Sequence, residues 1–302
     1  MFKKILILAF LVLIVTICTK SVFAETEMPN ALNKQSGKTI GTVGDVSARQ
    51  ASPKFDNPSY IWIQEIIVPI ISLIMLAFFI TQSVRGGAFT FGALLYISAT
   101  TMFWQEWYCD WGAYLLFNPA FSLMPWGSTL WTAPNKPWAI ILSYGPFFAT
   151  IYLLMLALIN KFHNKYPNLG KNRWILVVVI PSFYLFDLLV EGFAASQGWW
   201  SYTDYIGPAI ATDRGNFPVV YPIALFVLYG VITTWILGMR GPDERVRFES
   251  WFGVDHIQAR FGRELARLGV WILVMNGLFL LFSTGPFVAV RALFGHASAL
   301  VP

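Results

Sequence analysis

Charge is scarce in this sequence. Asp, Glu, Lys and Arg supply 12% of 302 residues, about half the share of an ordinary soluble domain. Histidine is scarcer still, and His163, His256 and His296 all fall in loops or tails between apolar runs, which excludes bis-histidine haem ligation within helices. The two cysteines, Cys18 and Cys109, form neither a zinc cluster with histidine nor a disulfide framework. A phosphate-cradling glycine loop and a Gly-x-Ser-x-Gly nucleophile elbow are both missing. No lysine interrupts the apolar runs beyond residue 60, which argues against a retinal Schiff base. Nor does any basic stretch alternate with aromatics in the manner of a nucleic-acid binder. What remains is proton chemistry without a metal or cofactor.

What is present is hydrocarbon. The chain is 56% hydrophobic with a mean hydropathy of +0.58, and apolar runs recur at about residues 60–81, 89–104, 138–160, 174–195, 218–239 and 268–290. Each is near the roughly 20 residues that a spanning helix requires, the second being the shortest. The expected fold is all-α, a polytopic transmembrane bundle of six core helices over residues 59–295. Ahead of it, Met1-Phe2-Lys3-Lys4, an apolar run over 5–18 and Val22-Phe23-Ala24 read as a signal peptide (1–24). Lys20 in the cleavage region leaves an uncleaved signal anchor open. Residues 25–58 are polar and rich in Gly, Ser, Asn and Lys, and they read as a flexible exported linker.

The loops alternate in charge. Arg85, then Lys161, Lys165, Lys171 and Arg173, then Arg240, Arg245, Arg247, Arg260, Arg263 and Arg267 fall on one side, against chiefly Lys136 and Arg214 on the other. The positive-inside rule places the first set in the cytoplasm, and an exported N-terminal linker gives the same orientation. The loop over 240–267 mixes its arginines with Phe248, Trp251, Phe252, Phe261 and Leu265. It can rest against anionic lipid or simply fix topology.

The acids then cluster toward the outer leaflet. Asp187 and Glu191 sit four residues apart at the end of the fourth run, on one face of a helix. Glu106 and Asp110 repeat that spacing at the end of the second. Ionisable groups at such depth face a protein interior or a wet cavity and carry function by default. Two nearby carboxyls in a low dielectric do not both ionise cheaply, so one serves as general acid and the other as base. The structural alternative neutralises them with Arg214 or Lys136, or leaves them in headgroup water. Trp107, Tyr108, Tyr184, Trp200 and Tyr202 surround these acids in sequence. They form either an interfacial aromatic belt or a substrate-binding wall that stabilises a developing cation, with Arg214 as a further substrate contact.

With those residues in view, the chain resembles the AveC-like spirocyclase family of bacterial membrane proteins. The resemblance rests on the acidic aromatic end of the second run with Asn118-Pro119, and on Val190-Glu191-Gly192 followed by Gly198-Trp199-Trp200-Ser201-Tyr202. It continues through Phe217-Pro218, Tyr221-Pro222, Gly238-Met239-Arg240 and the stretch from Phe261-Gly262-Arg263-Glu264 to Leu268-Gly269. It implies a location in the bacterial inner membrane and a role in secondary metabolism. The implied activity closes a dihydroxy ketone into a spiroketal, or assists dehydration, on a lipophilic small molecule. Three readings stay open from the residues: a cofactor-independent cyclase or dehydratase, a proton-coupled transporter using the same acids, and a non-catalytic scaffold. A transporter favours internal repeats, and none is visible. Oligomeric state is not legible in the sequence.

Sidedness is directly testable. In a Cys109→Ala background, an impermeant thiol reagent applied from outside should modify Ser128→Cys and leave Asn164→Cys untouched. The reverse pattern contradicts the orientation.

Overall fold

Uncharged stretches rich in Leu, Ile, Val and Phe become helices in this chain because hydrocarbon offers backbone N–H and C=O groups no partner but their own turn. The computed structural model describes residue 55 and residues 58–205, 207–241 and 245–302. The expected signal segment and most of the linker lie outside the described residues. Four helices are long and apolar enough to cross a membrane: α1 (Ile63–Gly86), α4 (Ala139–Lys165), α5 (Lys171–Ser196) and the continuous Arg260–Phe294. The fold is all-α, and the chain is a membrane protein.

The other two runs are built from shorter joined pieces. Helix α2 (Phe91–Thr100) opens on Thr90, whose hydroxyl accepts the Ala93 N–H at 3.2 Å as an N-cap. It continues through a 3-10 stretch (Thr101–Gln105) into α3 (Glu106–Gly112). Helix therefore extends beyond the apolar run and carries both acids of the second pair. The fifth helix starts later than its run, since residues 216–218 form a strand and a π-helical turn (Ile223–Val227) precedes α6 (Leu228–Gly238). Within Arg260–Phe294, α8 (Arg260–Phe279) and α9 (Gly285–Phe294) are joined by another π turn (Leu280–Thr284).

Small residues let these helices approach closely. A Cβ on Gly145 of α4 would stand 2.4 Å from Thr100 Oγ1 of α2, and one on Gly112 of α3 would stand 2.7 Å from the Phe287 backbone of α9. Phe148, Tyr152, Phe183, Tyr229 and Phe279 fill the centre, all buried, with rings meeting mostly edge to face.

Contacts between helix ends sort the bundle into two poles. At one, the C-terminus of α1 meets the start of α8, where Arg260 donates to Gly87 O. Here Arg267 is buried and bidentate to buried Glu249 of the short helix α7 (Arg247–Trp251), at 2.8 and 3.4 Å. Its remaining N–H groups reach Glu264 at 2.8 Å and Phe89 O at 3.1 Å. Trp271 Nε1 donates to Glu249 at 2.7 Å. Every charge in the cluster is hydrogen-bonded, as burial requires.

The opposite pole holds two short antiparallel ribbons. Strand β1 (Leu115–Phe117) pairs with β2 (Trp200–Tyr202), and β3 (Ala209–Ala211) pairs with β4 (Asn216–Pro218). These ribbons do not close a sheet. They tie loops to helix ends at the pole where the acids lie.

The buried cluster sets a stability contrast. Glu249→Ala removes the bidentate partner of buried Arg267 and the acceptor of Trp271 Nε1 and should cost about 3–5 kcal/mol. Asp255→Asn breaks the surface pair with Arg245, 3.3 Å long between an exposed carboxylate and a half-buried guanidinium, and should cost about 0–1 kcal/mol. Thermal unfolding in detergent checks the difference, and equal losses contradict it.

Candidate active site

The site begins with the end of α5. Gly198, at φ +73°, turns the chain out of the helix as its N–H caps Ala195 O at 3.0 Å. The following Trp-Ser-Tyr segment then runs as β2 alongside β1, with Phe117 opposite Trp200 and Leu115 opposite Tyr202. Asn118 prolongs the pairing, its N–H donating to Trp199 O at 2.8 Å and its buried side-chain amide to Gly198 O at 2.7 Å. Because β1 follows α3 after a two-residue turn, the ribbon fastens the end of α3 to the end of α5.

That fastening brings the acids together. Glu106 and Asp110 of α3, with Cys109 between them, line a cavity shared with Glu191 of α5 and Tyr202 of β2. Ala113, Leu115, Phe226, Phe279 and Ser283 complete its wall. The last three stand on or beside the two π turns, a feature that recurs at functional sites. The cavity offers about 30 Å³ to the centre of a water molecule, enough for a water or two and far below the roughly 300 Å³ of a small-molecule pocket. A larger hollow of about 510 Å³ is bounded by the single turn Pro167–Arg173 at the other pole and contains no acid.

Each acid has a distinct setting. Glu191 Oε2 accepts two hydrogen bonds, from Trp200 Nε1 at 2.8 Å and from the Tyr202 hydroxyl at 3.2 Å. Glu106 Oε2 accepts one from the Tyr144 hydroxyl of α4. Asp110 is buried, with Oδ2 unpartnered. Asp187 lies one turn before Glu191, also buried with an unpartnered Oδ2, and is outside the cavity lining. The four carboxyls come from two helices, α3 and α5. None takes part in the ion pairs found among the described residues.

The cation nearest in influence is Lys136, buried in the loop after β1. Its ammonium donates to Gly127 O and, at 2.8 Å, to Ala133 O. Burial lowers its pKa below the usual lysine value, partly opposed by the charge of Asp110. Among the described residues no group of three His, Cys, Asp or Glu side chains has metal-binding geometry.

Of the residues singled out from sequence, Glu106, Asp110, Glu191 and Tyr202 meet in the cavity, and Trp200 supports it through Glu191. The rest stand apart. Tyr184 donates to Val219 O at 3.1 Å. Arg214 donates to the Ser59 hydroxyl and pairs with neither Asp187 nor Glu191. Trp107 is buried without lining the cavity, and Tyr108 packs edge-on to Trp104. Sequence reasoning missed Tyr144, Cys109 and Ser283. The signal for Cys109 lay in its place between two acids, and that for Ser283 in the Ser283-Thr284-Gly285-Pro286 break in an apolar run. Tyr144 carried no local signal.

The motif residues of the ribbon, Asn118 and Gly198 to Tyr202, therefore build the wall that holds Glu191. A family model, described as spirocyclase AveC-like, matches residues 88–302. The chain belongs to the AveC-like spirocyclase family. The match takes in α2 through α9 and with them every residue of the cavity. No curated protein and no solved structure matched the chain.

The paired donors on Glu191 yield a coupling test on this AveC-like site. Tyr202→Phe removes one hydroxyl while Trp200 still holds Oε2, and should cost about 0.5–1.5 kcal/mol. The double variant Trp200→Phe/Tyr202→Phe leaves Glu191 with neither donor and should cost more than the two single losses combined. Simple additivity in thermal unfolding contradicts the shared hydrogen-bond acceptor.

Proposed function

We propose that this AveC-like protein is a cyclase or dehydratase of the bacterial inner membrane. It acts by acid–base chemistry on a lipophilic substrate and uses Glu106, Asp110 and Glu191, with its site toward the outer leaflet. The observation that carries the reading is the convergence of these three carboxyls, from two separate helices, on one cavity. Carboxyls this close, in a wall whose other members are mostly apolar, share fewer charges than they have groups. The set therefore contains a proton donor and a proton acceptor together.

Spiroketal closure needs that combination. A carboxyl protonates the ketone oxygen as one hydroxyl of the dihydroxy ketone adds to the carbonyl carbon, and a carboxylate takes the proton that this hydroxyl sheds. Protonation of the resulting hemiketal hydroxyl expels it as water and leaves an oxocarbenium ion. The second hydroxyl adds to that cation and returns its proton to a carboxylate. One water leaves and the carboxyls end as they began. Tyr202 and Phe279 stand in the wall, and aromatic rings there favour the passing cation. Dehydration uses the same groups, with a carbon-bound proton removed in place of hydroxyl attack.

The cavity as it stands is closed to such a substrate, so binding requires its walls to part. The π turns at Ile223–Val227 and Leu280–Thr284 adjoin it, and helical hydrogen bonding is already irregular there. Asp187, one turn before Glu191 and outside the cavity lining, exchanges no proton with the substrate.

The experiment compares lipid and metabolite extracts from a deletion strain, the parent, and strains complemented with carboxamide variants. Glu191→Gln is nearly isosteric and should accumulate and melt like the parent while product formation falls about 100-fold or more. Asp187→Asn should lose less. Full product formation by Glu106→Gln, Asp110→Asn and Glu191→Gln alike removes the acid–base reading and favours a scaffold.

A further inference from the structure

The loop between β1 and α4 has a composition that its position does not explain. Residues 119–135 contain no charged side chain, although they leave the bundle at the pole where helices end. The tip is apolar and exposed: Trp126 is 58% accessible, Leu130 79% and Trp131 49%. Trp138, at the boundary with the membrane-length α4, is 47% accessible and rests against Trp126 with ring centres 5.8 Å apart. In water this would be a costly arrangement of large apolar surface.

The tip is also held rigid from below. Trp131 takes φ +59°, a conformation an indole-bearing residue seldom adopts. The Thr129 and Thr132 hydroxyls bond each other at 2.7 Å across the turn. Lys136, at its base, is spent inward on Gly127 O and Ala133 O. The loop is fixed to the site helix where Ala133 N–H donates to Trp107 O at 2.8 Å, and Trp131 lies 6.3 Å from Trp111. A floppy hydrophobic loop would fold its indoles inward. This one is braced to present them.

We infer that the tip of this loop, Trp126 to Trp131, is seated in the lipid headgroup region of the same bilayer that the helices cross. Three observations select that occupant. Tryptophan partitions to the interface, where its ring is buried and its N–H stays wet. The lack of charge over 119–135 suits zwitterionic lipid and leaves nothing to pair with a charged protein partner. The adjoining Trp138 marks the level at which α4 enters hydrocarbon. The loop thereby joins the membrane surface to the helix bearing Glu106 and Asp110. This inference is independent of the catalytic reading.

The test uses the full chain in phosphatidylcholine vesicles, with an environment-sensitive fluorophore attached at Leu130→Cys, at Ser128→Cys in case the first variant misfolds, and at Asp213→Cys. Asp213 is exposed on the charged turn at the same pole and reports water. All three are made in a Cys18→Ala/Cys109→Ala background, so the introduced thiol carries the whole label, and that background serves as the labelling blank. On the loop, emission should shift to the blue. Lipids spin-labelled near the headgroup should quench it more than aqueous iodide does, and Asp213→Cys should show the opposite order. Iodide quenching equal to that at Asp213→Cys places the tip in water and overturns the inference. Cross-linking between two copies through Leu130→Cys, with loss of lipid quenching, assigns the surface to a second chain and equally overturns it.

Discussion

Three backbone pairings, Leu115 with Tyr202, Leu116 with Ser201 and Phe117 with Trp200, decide what this bundle can do. Helices in lipid have little hydrophobic reason to hold one rotation about their axes, since lipid tails are as apolar as their side chains. The ribbon supplies the missing constraint by tying the end of α3 to the end of α5. With those ends fixed, carboxyls from two helices have to face each other. Their mutual repulsion and desolvation oppose this, and the hydrogen bonds from Trp200, Tyr202 and Tyr144 offset part of the cost.

The two poles divide the work. At the basic end, Arg267 meets Glu249 and Glu264 with every fork of the guanidinium engaged, and such a satisfied cluster specifies packing. At the acidic end the groups are left partly unsatisfied, with Asp110 Oδ2 and Asp187 Oδ2 lacking partners. Under the proposed acid–base reading, the groups that exchange protons stand at this acidic end and the basic end holds the packing. Lys136 could have closed the deficit, but its ammonium is occupied by loop carbonyls.

Much of this was legible in the residues. All six apolar runs fall on helix, and four of those helices are long and apolar enough to cross a membrane. The i,i+4 spacing put Glu106 with Asp110 and Asp187 with Glu191 on shared helix faces, and both depth and family motif pointed to Glu191. What could not be read was rotation and register. Tyr184 is one turn from Asp187, yet its hydroxyl goes to Val219 O, because which face of α5 meets the cavity is set by the ribbon. Arg214 is the natural counter-ion on a list of charges, but the turn that carries it reaches Ser59. Tyr144 arrives from α4 by close approach at Gly145, which no local pattern announces. Asp187, paired in sequence with Glu191, stands behind the cavity wall.

The claim on which the account turns is that one cavity holds an acid and a base at once. The most direct measurement is the initial rate of product formation against pH for the purified chain in bilayers, beside Glu191→Gln. The account predicts a bell-shaped profile for the unsubstituted chain, with one limb for the group that must be ionised and one for the group that must be protonated. Replacing Glu191 should remove one limb and leave the other. A profile without limbs, or one that keeps its shape in Glu191→Gln after scaling, contradicts it.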